Sequence, residues 1–129
     1  MLLVRAWVGP SKIHGLGLIA HEFIPKGTVC WKLVPGFDAI LSEEEVEKFP
    51  ESAQEQIKYY GFFHPGLKKY ILCVDDDRFT NHSEEPNQRF QGDHSIAIRD
   101  IEAGEELTDN YNDYGYSMHI AERPSLAEV

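Results

Sequence analysis

The sequence has no long apolar run. Nothing in its 129 residues approaches the ~20 consecutive apolar positions of a membrane-spanning helix, so no membrane partner is expected. The opening stretch, Met1 to Trp7, is too short and too interrupted for a secretory signal. That favours the cytoplasm, with a bacterial source as the simplest case and a nuclear or host-targeted destination left open. Cysteine is scarce. Cys30 and Cys73 are the only two, too few for a disulfide framework or a cysteine metal cluster and too far apart for a Cys-x-x-Cys pair, and they read as small buried thiols. The six histidines form no His-x-x-x-His pair, so zinc spacing is missing. Positive charge is also scarce. Twelve Lys and Arg stand against 22 Asp and Glu, a net charge of -10 with a pI near 4.9. Phosphate binding needs a basic face, so nucleic acid is excluded as an expected partner, whereas a basic protein or peptide remains suited by charge.

Composition is otherwise ordinary for a globular protein, 42% apolar and 26% charged, and the length suits one domain over residues 1–129 with a core of about 4–114 and a tail over 115–129. Residues 2–8 read as a strand. Pro10, Gly15 and Gly17 mark a loop, and Leu18-Ile19-Ala20 reads as a short buried strand. Further strands are expected over 28–34, 69–74, 94–99 and 106–108, where β-branched and aromatic residues gather. Ile24-Pro25-Lys26-Gly27 is a turn, and Asp100-Ile101-Glu102-Ala103-Gly104 repeats its style. Helix signals occur only in the middle. Ser42 is followed by Glu45 as in a capping box, Pro50 divides the segment, Ala53, Gln56, Ile57 and Tyr60 fall near one face, and Gly61 ends it. The expected architecture is mainly β, with short strands and a small helical insert over 42–60.

The chemistry is concentrated in Arg78-Phe79-Thr80-Asn81-His82-Ser83-Glu84-Glu85-Pro86-Asn87, directly after Asp75-Asp76-Asp77. This stretch is a poor helix and a poor strand, and loops so furnished commonly hold ligands. Calcium does not explain it. Asp75, Asp77 and Asn81 fall at the first, third and seventh positions of an EF-hand loop, but Thr80 stands where Gly is required and Pro86 where Glu is required. A Cys73–His82 nucleophilic pair fails because a thiol in an apolar strand is inert, and no Gly-x-Ser-x-Gly elbow is present. Gly15-Leu16-Gly17 suits either a turn or a close backbone approach to a ligand, and spacing alone leaves both open. Taken singly, Asn81, His82 and Tyr111 each fit an ordinary structural role.

Their joint order says more. Ser11 to Ala20, then Ile24 to Gly27, then Arg78 to Asn87, then Gly104-Glu105-Glu106-Leu107-Thr108 through Tyr111 resemble, in sequence, the motifs of the SET domain of protein lysine methyltransferases. The likeness runs from about Val4 to Tyr114 and is similar to the small bacterial and viral forms. It implies small curved sheets with a C-terminal pseudoknot, bringing Asn81 and Tyr111 together. It implies transfer of a methyl group from S-adenosylmethionine to lysine of a protein substrate. By analogy the backbone at Leu16 and Gly17 holds the cofactor's methionine part, Asn81 and His82 also bind it, and Tyr111 is the catalytic tyrosine. Phe79, Tyr114 and Tyr116 are candidate walls of the lysine channel.

Two departures from the family pattern stand out. Glu84 replaces the cysteine that shares a zinc ion with a C-terminal cysteine cluster, and no such cluster follows, so no metal is expected. Asp109 stands where many members carry a Phe or Tyr that tunes methylation number, which leaves the product state open. A site this minimal can also be completed by a second copy, so a homodimer stays open. The competing readings are a SET-like module that binds cofactor or a basic peptide without catalysis, and an unrelated acidic β-domain used as an interaction surface.

Overall fold

Short β-branched and aromatic runs, broken repeatedly by Gly and Pro, give short strands. The computed structural model describes residues 1–114. In chain order these form β1 (Ala6–Pro10), β2 (Leu16–Ala20), β3 (Val29–Lys32), β4 (Ala39–Ser42), α1 (Glu43–Glu47), α2 (Glu51–Tyr60), β5 (Phe62–His64), β6 (Lys69–Leu72), a 3-10 turn (Asp76–Phe79), β7 (Asn81–His82), β8 (Gln88–Phe90), β9 (His94–Ala97), β10 (Glu106–Asp109) and a second 3-10 turn (Tyr111–Tyr114). They build three small sheets, ordered β1-β2-β10-β7, β3-β9-β8 and β4-β6-β5. The mainly β architecture with a helical insert is therefore observed. None of the helices among the described residues is long and apolar enough to cross a membrane.

The first sheet carries the site. β10 pairs antiparallel with β2, Leu107 opposite Leu18, and parallel with β7, Thr108 opposite Asn81 and Asp109 opposite His82. Leu107 of β10 enters the core with Leu18, Ala20, Ile24, Cys30, Ala97 and Ile101. Full burial of each large aliphatic side chain there contributes about 1.5–3 kcal/mol. The two look-alike turns meet in this core. Ile24 and Ile101 exchange backbone hydrogen bonds of 2.8 Å in both directions, and Gly27 (φ 90) and Gly104 (φ 92) supply the left-handed residue that closes each turn. A second cluster, Trp31 with Cys73 and Phe90, lies under β5 and β8. Both cysteines are free and buried. Burial pushes the Cys30 thiol up to about 12, and burial with Asp77 alongside raises Cys73 further.

The helical insert follows its signals. Ser42 and Glu45 form the capping box in full, three acidic residues fill the first turn of α1, and Gly61 closes α2. A Cβ at Gly61 would meet the Ile71 and Ile57 carbonyl oxygens at 2.5 and 2.6 Å, so no other residue fits. Gln56 departs from the expected face and is exposed. Its neighbour Gln54 instead turns back to donate to the Glu47 and Phe49 carbonyls, at 3.2 and 2.9 Å.

Other segments differ from expectation. The first strand begins at Ala6 rather than at residue 2, because Leu2 makes a lone bridge to Trp31 while its amide donates to Asp75 at 2.8 Å. Gly17 is not in a loop. It lies in β2 opposite Gly9, and of Gly15 and Gly17 only Gly15 has positive φ. Strands β4, β5 and β8 carry no strong sequence signal and exist because a neighbour offers an edge.

Candidate functional site

Placing β10 between β2 and β7 draws three distant motifs to one end of a sheet. Asn81 is the junction. Its amide nitrogen lies 2.9 Å from Glu106 Oε2, 3.0 Å from the Leu16 carbonyl, 3.1 Å from Ser11 Oγ and 3.2 Å from the His14 carbonyl. Two amide protons thus serve four acceptors, tying the glycine strand, its preceding loop and β10 to β7. Glu106 is fixed from a second side by Ser11, whose hydroxyl donates to it at 2.6 Å. Bonds of this kind to a carboxylate are about twice as strong as neutral ones. Gly17 makes room for the carboxylate, since a Cβ there would lie 2.6 Å from Glu106 Oε2.

Tyr111 follows β10 after Asn110. Its hydroxyl donates to the Thr80 carbonyl at 2.6 Å. Its backbone N–H donates to His82 Nδ1 at 3.0 Å, and the two rings lie 5.2 Å apart. Burial holds the phenol well above the usual tyrosine range, and Asp109, Tyr59, Glu106 and Asp77 add to the rise, so Tyr111 stays a neutral hydroxyl. Beneath it, Asn87 locks the start of β8 to β10. Its buried side chain donates to the Glu106 carbonyl at 2.8 Å and accepts from the Thr108 amide at 2.9 Å. Asp77 caps the Thr80 hydroxyl through its backbone carbonyl at 2.7 Å. Burial pushes the Asp77 carboxyl up to about 8, with Asp109 and Asp75 contributing.

Of the residues marked out by sequence, Leu16, Gly17, Asn81, His82 and Tyr111 converge. Phe79 stands beside them in an aromatic group, edge-on to Tyr60 at 5.6 Å, with the Arg78 guanidinium 5.1 Å from the Phe79 ring centre and 5.8 Å from that of Tyr60. Tyr116 and the side chain of Tyr114 lie outside the described residues. Sequence reasoning gave no role to Ser11, Asn87, Glu106 or Tyr59. Ser11, Asn87 and Glu106 sit inside the quoted motifs, so their positions were visible although their partners were not. Glu84, in the zinc-ligand position, bonds His82 Nε2 at 3.0 Å. Among the described residues no three His, Cys, Asp or Glu side chains gather as a metal site would require.

The site has the acceptor-rich character that a cationic ligand needs. The His14 and Leu16 carbonyls and the Glu106 carboxylate converge on the Asn81 amide, beside a strand glycine whose missing Cβ leaves room for that carboxylate. The arrangement defines a class of small β-domains in which a C-terminal strand and tyrosine are held between a glycine strand and an Asn-His strand. The family model of the SET domain matches residues 15–112, and the chain belongs to that family.

Solved structures agree on the fold. A humanized mutant of the Chaetomium thermophilum Polycomb Repressive Complex 2 bound to an inhibitor superposes with a TM-score of 0.64 at 23% identity, covering 86% of this chain and 15% of that chain. An apo form of that complex with two substitutions in Ezh2 gives 0.67 at 23% identity, with the same coverage of 86% and 15%. A Plasmodium falciparum protein provisionally assigned as a histone methyltransferase gives 0.60 at 18% identity, covering 85% of this chain and 95% of that one. The chain therefore spans only a small part of the Polycomb chains it matches. No curated protein sequence matches it.

Proposed function

We propose that this domain is a protein-lysine N-methyltransferase that takes its methyl group from S-adenosylmethionine. The observation that carries the reading is the convergence of Asn81, His82 and Tyr111 on one sheet with the glycine strand. The backbone at Leu16 and Gly17, with Asn81, would hold the methionine part of the cofactor, and the His82 backbone would face its adenine. When bound, the cofactor supplies a methyl on a sulfonium, and the surrounding carbonyls and Glu106 suit its positive charge.

The lysine must arrive as a neutral amine. With an ordinary pKa of ~10.4, giving up its proton at neutral pH costs about 4–5 kcal/mol. An aromatic channel lowers that cost by disfavouring the ammonium, and Tyr59, Tyr60 and Phe79 supply aromatic surface near Tyr111. Because the Tyr111 proton is committed to the Thr80 carbonyl, the phenol oxygen acts as an acceptor, suited to aim an amine N–H or a polarised methyl C–H. Alignment of this sort is worth several kcal/mol in model reactions. A basic protein segment fits the net charge of -10. Action as a single cytoplasmic domain, alone or as a homodimer, completes the proposal.

Two measurements test it. Calorimetry should show micromolar binding of S-adenosylmethionine or its demethylated product, and no binding would end the proposal. Labelled cofactor with a lysate should then mark protein lysines, with Tyr111→Phe slower on the order of 10²-fold and still folded. Binding without any transfer would instead support an inactive cofactor-binding module.

A further inference from the structure

Glu84 occupies the position where the family pattern places a metal-binding cysteine, and its carboxylate oxygen lies 3.0 Å from His82 Nε2. The other ring nitrogen, Nδ1, accepts the Tyr111 backbone N–H at 3.0 Å. These two contacts are not independent. An accepting Nδ1 carries no proton, so the single proton of a neutral ring sits on Nε2, where it faces a group that only accepts. The opposite tautomer would set Nδ1–H against the Tyr111 N–H and an Nε2 lone pair against a carboxylate. Glu84 therefore selects the tautomer that Tyr111 requires.

The backbone around this chain of contacts is already fixed. Asp109 lies opposite His82 in the parallel pair, and the Ser83 amide donates to the Asp109 carbonyl at 2.9 Å. Past that point β10 ends. Two bonds from the preceding segment seat the tyrosine, one from its hydroxyl to Thr80 and one from its amide to His82. Glu84 itself is 81% exposed, so its contact with His82 adds little to stability. Its effect lies in which ring nitrogen is protonated.

We propose that Glu84 is a positioning residue that acts through the His82 tautomer to seat Tyr111. The consequence for rate rests on Tyr111 being the catalytic tyrosine, while the tautomer itself does not. Long-range proton–nitrogen NMR on the labelled full chain, at about pH 8.5 where imidazole is neutral, should show His82 protonated at Nε2 and bare at Nδ1. Glu84→Lys presents donors in place of an acceptor. It should move His82 toward the Nδ1–H tautomer and speed exchange of the Tyr111 amide by about 3- to 10-fold, the worth of one neutral hydrogen bond. It should lower the turnover of methyl transfer by a similar factor, without changing cofactor affinity or thermal midpoint. Glu84→Gln keeps an acceptor oxygen and should restore all three readouts. An Nδ1–H ring in the native protein, or Glu84→Lys leaving tautomer and amide exchange unchanged, overturns the proposal. If the native protein transfers no methyl group, the reading of Tyr111 fails and the NMR result alone decides the positioning link.

Discussion

Replacing Gly17 by alanine puts a Cβ 2.6 Å from Glu106 Oε2 and 2.7 Å from its Cδ, where ordinary contact begins near 3.4 Å. The carboxylate must back away by about 0.8 Å, the difference between 3.4 and 2.6 Å. It starts 2.6 Å from Ser11 Oγ and 2.9 Å from Asn81 Nδ2, so a retreat of that size opens both bonds. Hydrogen bonds to a charged group are worth about 1.5–3 kcal/mol each, and water replaces part of that at a half-buried site, so a net cost of about 1–3 kcal/mol is expected. The backbone adds no strain, because Gly17 is not among the residues with positive φ. The whole effect should therefore pass through Glu106. In a Glu106→Ala background the new methyl has room, and Gly17→Ala should cost less than about 0.5 kcal/mol. Urea denaturation of the four proteins measures the cycle for stability, and cofactor calorimetry measures it for the site. Equal costs of Gly17→Ala in the two backgrounds would refute the reasoning, since the clash would then not be with that carboxylate.

Asn87→Ala should destabilise the domain by about 2–4 kcal/mol, because it removes bonds of 2.8 and 2.9 Å to β10 and orphans the Thr108 amide; a loss under half that size in urea denaturation would contradict it. Asp77 predicts the pH dependence. Its carboxyl rises from 3.8 to about 8 in the folded chain, so between those values the folded form keeps a proton that the unfolded form has released. Stability should fall with rising pH in that window, by up to about 1.4 kcal/mol per pH unit, and level off above it. Asp77→Asn should flatten the slope, and an unchanged slope would show that another group is responsible.

How much of this was legible depends on the range of the interaction. The Ser42–Glu45 cap and the end of α2 at Gly61 are local, and composition announces them. The order of the three motifs also survives in the linear chain, which is why Asn81, His82 and Tyr111 could be named together. The short strands β4, β5 and β8 were hidden, because pairing with a neighbour creates them. Gly17 looked like a loop residue, yet it lies in a strand paired with β1, and it is glycine because the Glu106 carboxylate takes the space of a Cβ. Glu84 was visible only as a missing zinc ligand. Its contact with His82 is two residues away, but it becomes meaningful only when Tyr111 arrives from the far end of the chain.

The bond between Ser11 and Glu106 spans 95 positions, and the Tyr111 amide reaches back 29 to His82. A chain emerging from a ribosome cannot assemble this site in stages. Until β10 slots between β2 and β7, the glycine strand has no carboxylate, Asn81 has only part of its acceptors, and Tyr111 is missing. Pairings between such distant positions also form late and slowly. Cofactor capture should thus report synthesis past Tyr111: chains truncated before it would pass unmarked through an affinity resin that retains chains carrying it.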